Sequence, residues 1–128
     1  MKDGEREPVS GPRTWNLEKR RHPRHRIDLP IEYTRRDLVV RQDRAINASE
    51  GGLLAQLSEQ MEAGQHLRIK LFFPSRAAFN FIELVTQIVW VDVHQRGAWR
   101  DCRTGVRYRD ISIGDLGDLR NFLAGLSG

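Results

Sequence analysis

His66-Leu67-Arg68-Ile69-Lys70-Leu71-Phe72-Phe73-Pro74 carries the most regular pattern in this chain. Leu67, Ile69, Leu71 and Phe73 fall on one side, and Arg68 and Lys70 are among the residues on the other. A period of two is the mark of a half-buried strand, and Pro74 ends it. The same period appears upstream, where Ile27, Leu29, Ile31 and Tyr33 alternate with Asp28, Pro30, Glu32 and Thr34. Pro30 cannot donate to a ladder, so that strand needs an edge or a bulge there. Leu38–Ile46 reads as a second, more polar strand after the turn Arg35-Arg36-Asp37, and Leu53–Leu57 as a short third. Ser58–Gly64 is then a loop ending in a glycine turn.

Downstream, Phe81–His94 is apolar on both faces and rich in β-branched and aromatic residues, which favours strand over helix. Its fourteen residues exceed a usual strand, so a bend or bulge is expected partway. Gln95–Arg100, with Gly97, reads as a hairpin loop. Cys102–Arg109 completes the set, with Thr104, Val106 and Tyr108 facing one way. The period then changes: Leu116, Leu119, Leu123 and Leu126 fall at i, i+3, i+7 and i+10, a helical stripe over about 114–126. Ser112 and Asp115 resemble a capping signal at its start. Six short antiparallel strands leave edges to hide, so the expectation is an all-β-dominated, small closed barrel with a C-terminal helix.

The chain has 128 residues, enough for one core, with 39% apolar and 30% charged residues. It has no apolar run long enough to span a membrane and no apolar segment of a secretory signal near Met1. A single cysteine, Cys102, excludes an internal disulfide, which fits a cytoplasmic protein. Net charge is +4, but Arg13, Lys19, Arg20, Arg21, Arg24 and Arg26 face only Glu18 between positions 13 and 26. The positive charge therefore belongs to one arm, and the rest of the chain is nearly neutral. Residues 1–17 read as a disordered tail, and 18–128 as the barrel domain with its arm at 18–26.

No arrangement of residues here points to catalysis, so the chain does not read as an enzyme. His22, His25, His66 and His94 lack partners at ligand spacing, and Cys102 has no nearby Cys or His, so no metal site is expected. Two stretches remain. Arg20 and Arg24 form R-x-x-x-R ahead of the first strand, and Asn47, Ser49 and Gly52 form N-x-S-x-x-G at a turn. Arginine offers a planar fork of donors that pairs with phosphate oxygens or guanine O6 and N7, and its plane stacks on purines. Asn47 and Ser49 offer hydrogen bonds to a ligand or to their own turn. Gly52 permits a positive φ or the close approach of a ligand. Lys19 and Arg21 add secondary attraction.

R-x-x-x-R, then the 22 residues His25–Ile46, then N-x-S-x-x-G resembles the signature of PilZ domains, bacterial receptors for cyclic di-GMP. Glu18–Arg21, Gly51–Leu54, the Trp90 strand and Thr104–Tyr108 are similar to the family as well, over roughly Glu18–Leu126. The resemblance implies a six-stranded antiparallel barrel. It also implies a flexible N-terminal segment that closes over cyclic di-GMP, with Arg20, Arg24, Asn47, Ser49 and Gly52 as ligand-binding residues. Asn47 stands where Asp is the more frequent choice. The expected function is a cyclic di-GMP receptor that orders its arm on binding and signals to a protein partner, with no other cofactor. Two alternatives are a PilZ-like adaptor that binds no nucleotide and a nucleic-acid-binding barrel with a basic arm. Against the second, the strands lack a clear row of exposed aromatics for base stacking.

Overall fold

The computed structural model describes residues 23–74 and 79–127. Among these residues, six strands follow one another before one helix: β1 His25–Thr34, β2 Val40–Ala48, β3 Gly52–Leu57, β4 His66–Pro74, β5 Phe79–Arg96, β6 Trp99–Asp110 and α1 Ile113–Ser127. They close into an antiparallel barrel in the order β1-β2-β3-β6-β5-β4, with β4 pairing back onto β1. Closure removes free edges, so every strand finds two neighbours. The arm residues Lys19, Arg20 and Arg21, and the tail 1–17, lie outside the described residues; the arm expected at 18–26 stops short of that, because His25 and Arg26 already pair with Ala48 and Asn47 in β1.

The alternation in β4 has the expected meaning: Leu67, Ile69, Leu71 and Phe73 are all buried in the core. β1 contributes Ile31 and Tyr33, β3 contributes Leu53, Ala55 and Leu57, and β5 contributes Ile82, Leu84 and Ile88. β5 is 18 residues long and serves two partners. Its first half pairs with β4 and its second with β6, with register shifts at Val85/Thr86 and Ile88/Trp90 where it bends. Pro30 sits one residue before the β1–β4 pairing begins at Ile31, so its missing N–H costs that ladder nothing. The hairpin loop after β5 narrows to Gly97-Ala98, with Gly97 at a φ of 58° as a tight turn requires.

Both barrel ends are closed. At one, the β3–β4 connection buries Met61 in the core and is pinned to β5 through Gly64 N to Ile88 O and Ile88 N to Gln65 O, each 2.8 Å. At the other, α1 buries Leu119 and Leu123 and sets Phe122 against Phe73, ring centroids 5.1 Å apart. The helix begins where the Asp115 amide donates to Ser112 Oγ (3.1 Å). The Asp115 carboxylate does not return to Ser112. It accepts from the Glu83 amide (3.0 Å) and ties the helix to β5. The apolar stripe is shorter than its sequence pattern, because Leu126 is exposed. No helix among the described residues is long and apolar enough to cross a membrane.

If α1 closes the barrel through Leu119, Leu119→Ala costs about 2–5 kcal/mol in urea unfolding. Leu126→Ala, at an exposed position, changes stability by about 0.5 kcal/mol at most. Equal losses in the two variants would contradict this packing.

Candidate functional site

The site grows from an irregularity in β2. Ala45 and Ala48 are three residues apart yet both fully buried, which strict alternation forbids. The register explains it. Ala45 opposes Ala55 and Asn47 opposes Leu54, so Ile46 is an extra residue against β3. Against β1 the imbalance reverses, with Ile27 and Asp28 facing Ile46 alone between the pairs Arg26–Asn47 and Leu29–Ala45. These bulges reset the phase and turn Asn47 outward. Asn47 therefore belongs to β2 and not to the turn, which is the shorter Ser49-Glu50-Gly51.

On that outer face Arg24 Nη1 donates to Asn47 Oδ1 at 2.8 Å. The two motifs, 23 residues apart in sequence, meet here. Because Asn47 is neutral, Arg24 keeps its positive charge uncompensated by this contact, and so remains available to an anion. Arg20 lies outside the described residues.

The turn is held by its own serine. Ser49 Oγ accepts from the amides of Gly51 (3.1 Å) and Gly52 (3.2 Å) and donates to Gly52 O (3.3 Å), while Ser49 N donates to Gly52 O at 2.8 Å. Ser49 is buried, so its role is to shape the corner. Gly52 has no positive φ, contrary to one sequence expectation. A Cβ there would lie 2.2 Å from Val106 O, so the close approach that requires glycine is that of β6.

Tyr108 fastens this corner from β6, a role its sequence position did not announce. Its hydroxyl is within 3.0 Å of both Ser49 O and Gly52 O, and its amide donates to Gly51 O at 2.9 Å. Burial pushes the phenol well above the ordinary tyrosine range, with the nearby Arg24 charge opposing it. Glu50 accepts from Arg120 Nε at 2.7 Å, linking the turn to α1.

One further element was visible in sequence only as an aromatic strand residue. Arg26, Asn47, Leu54, Gly105 and Trp90 are successive register partners across β1, β2, β3, β6 and β5. The Trp90 indole lies flat over Gly105, where an added Cβ would meet Cε2 and Nε1 at 2.4 Å. The indole is nevertheless exposed. With strands about 4.8 Å apart, the ring over Gly105 stands about 10 Å from Asn47. The corner thus combines a guanidinium, a carboxamide and an open aromatic face along one strip.

Both tyrosines of the chain have raised pKa values, Tyr33 through burial first and then its hydrogen bond to Glu59. A raised pKa stabilises the fold below the ordinary value near 10 and loses that contribution as pH climbs above it. Phenolate absorbance should therefore rise only together with loss of circular dichroism. Tyr108→Phe should cost about 1–2 kcal/mol. Ionisation of either phenol in the folded barrel would refute this account of the corner.

Comparison with known proteins places this geometry. The family model described as PilZ domain matches residues 18–125. Among solved structures, the PilZ domain of YcgR from Escherichia coli with c-di-GMP superposes with a TM-score of 0.65 at 15% identity, over 85% of this chain and 92% of that one. The inhibitor of motility MotI/DgrA from Bacillus subtilis gives 0.68 at 19% identity, over 81% of this chain. This chain spans about half of the Bacillus protein, 48% of its length. The MrkH–c-di-GMP complex of K. pneumonia gives 0.61 at 14%, over 83% of this chain and 50% of that one. At such identities the structural likenesses speak for the fold alone. No curated protein matches the sequence. The family match covers most of the chain and agrees with the closed barrel, so this protein belongs to the PilZ domain family.

Proposed function

We propose that this protein is a receptor for cyclic di-GMP, not an enzyme, and that Arg20, Arg24, Asn47, Ser49 and Gly52 form its site. The observation that carries the reading is the 2.8 Å hydrogen bond from Arg24 to Asn47, which joins the arginine motif to the turn motif on an exposed face. Cyclic di-GMP carries two phosphodiester anions and two guanines. Arg24 supplies a fork for a phosphate oxygen or for guanine O6 and N7, and Arg20 a second fork one motif length away. Asn47 retains its amide donor after accepting from Arg24. Ser49 and Gly52 act through the shape of the corner: the first by its turn, the second by letting β6 approach. Trp90 offers a stacking face within reach of the same ligand.

Binding orders the arm ahead of β1, at 18–24, across the corner, with Lys19 and Arg21 adding attraction, and so presents a new surface to a protein partner. The ordered arm belongs to a single domain at 18–128, after a tail at 1–17. The YcgR and MrkH structures of the same fold are complexes with c-di-GMP, which supports this reading. Ordering costs roughly 1–2 kcal/mol per fixed residue, so the net affinity depends on each charged contact being made. Removing one partner of such a contact costs about 2–5 kcal/mol, about thirtyfold or more in Kd.

Isothermal titration with cyclic di-GMP tests the assignment. Arg20→Ala and Arg24→Ala should each weaken binding about thirtyfold or more, and Ser49→Ala should weaken it by unfixing the turn. Unchanged Kd in all three variants would remove the site assignment, whereas no binding by the unmodified protein would favour an adaptor that takes no nucleotide. Tryptophan emission should also change on ligand addition and lose that change in Trp90→Phe, whereas an identical response in both proteins would exclude Trp90 from the site.

A further inference from the structure

The β1–β2 turn displays what the barrel does not use. Leu38, Val39 and Val40 are 79%, 51% and 58% exposed, at the barrel end opposite the Ser49 corner. Leu38 holds a φ of 62°, a left-handed conformation that is strained for a branched side chain. Polar contacts keep it there. Its amide donates to Arg35 O (3.2 Å), and the Val39 amide donates to Asp37 Oδ1 (3.1 Å). Arg41 pairs with Asp37 (2.8 Å) and Glu59 (2.9 Å), and Arg35 with Glu59 (2.7 Å). The Arg41 guanidinium and the Val39 amide hold the Asp37 carboxyl down to about 2. The chain thus braces a turn whose side chains gain nothing from folding, the mark of a contact surface.

We propose that this prong inserts into the interfacial layer of an anionic lipid bilayer. Three observations favour lipid over a protein groove. Leu38, Val39 and Val40 are successive residues, and all three are more than half exposed. A protein groove reads one face, whereas a fluid apolar phase accepts side chains in every direction. Three side chains also fall far short of the roughly 1,000 Å² that a specific protein interface buries. Finally, Arg35, Arg36 and Arg41 flank the apolar tip; Asp37 and Glu59 engage Arg35 and Arg41, and Arg36 is exposed beside it. Arg68 stands in the same cross-strand row as Val40, through Thr34. The exposed guanidinium groups of Arg36 and Arg68 meet lipid phosphates while the tip enters the acyl boundary. One such prong gives weak, reversible attachment. The inference does not rest on cyclic di-GMP binding.

The test is co-sedimentation of the full chain with phosphatidylglycerol–phosphatidylcholine vesicles and with phosphatidylcholine vesicles. Leu38→Gly relieves the backbone strain, so with Val39→Ser it should keep the melting temperature and any nucleotide affinity. It should lower partitioning onto the anionic vesicles about tenfold or more. Two results overturn the proposal. One is anionic-vesicle binding that the variant leaves unchanged, which would assign it to the basic arm. The other is no vesicle binding by the unmodified chain, and a dimer in sedimentation velocity that Leu38→Gly abolishes would then assign the prong to a second copy.

Discussion

The hydroxyl of Tyr108, reaching two carbonyls of the Ser49–Gly52 segment, is the contact on which the corner depends. A turn between two strands is ordinarily free to choose among several backbone shapes. Here its carbonyls are taken by the half-buried Tyr108, its amides by the Ser49 hydroxyl, and its last residue is pressed against the β6 backbone. The corner is therefore rigid before any ligand arrives, and a preformed site loses less entropy on binding. In the proposed mechanism the arm closes onto this fixed corner, and the cost and the specificity of binding lie in that step.

The bulges around Ile46 do the complementary work on the other side of the turn. They let Ala45 and Ala48 both enter the core, and they bring Asn47 to the surface beside Arg24. Without the extra residue Asn47 would point inward, and an unpartnered carboxamide in an apolar core is costly. The same strip continues through Leu54 and Gly105 to the Trp90 ring. The barrel is thus a frame that sets a cation, an amide and an aromatic face at fixed spacing. The opposite end of the same hairpin, with its arginine-collared apolar tip, is a separate surface with separate chemistry.

The strands were legible because burial of one face imposes a period of two, as in Leu67 to Phe73, and the helix because Leu116 to Leu123 shift to a helical period. Closure followed from the number of edges. The two motifs were legible as residue types suited to a small planar anion, and guanine entered with their resemblance to the PilZ signature. What was hidden depends on partners distant in sequence. The glycine at 52 is explained by the carbonyl of Val106, and the role of Tyr108 by acceptors 56 and 59 residues earlier. The phase of Asn47 is set by register against two neighbouring strands, which no local pattern carries. Leu126 kept the helical period but lies beyond the end of the barrel it would have to cover.

Hydrogen exchange of the full chain, with and without cyclic di-GMP, probes the central claim most directly. The expected result is that ligand slows exchange in the arm at 18–24 and along the Asn47–Gly52 corner together, because one molecule is held between them. Binding that protects neither segment, or protects the corner while the arm exchanges as before, would contradict it.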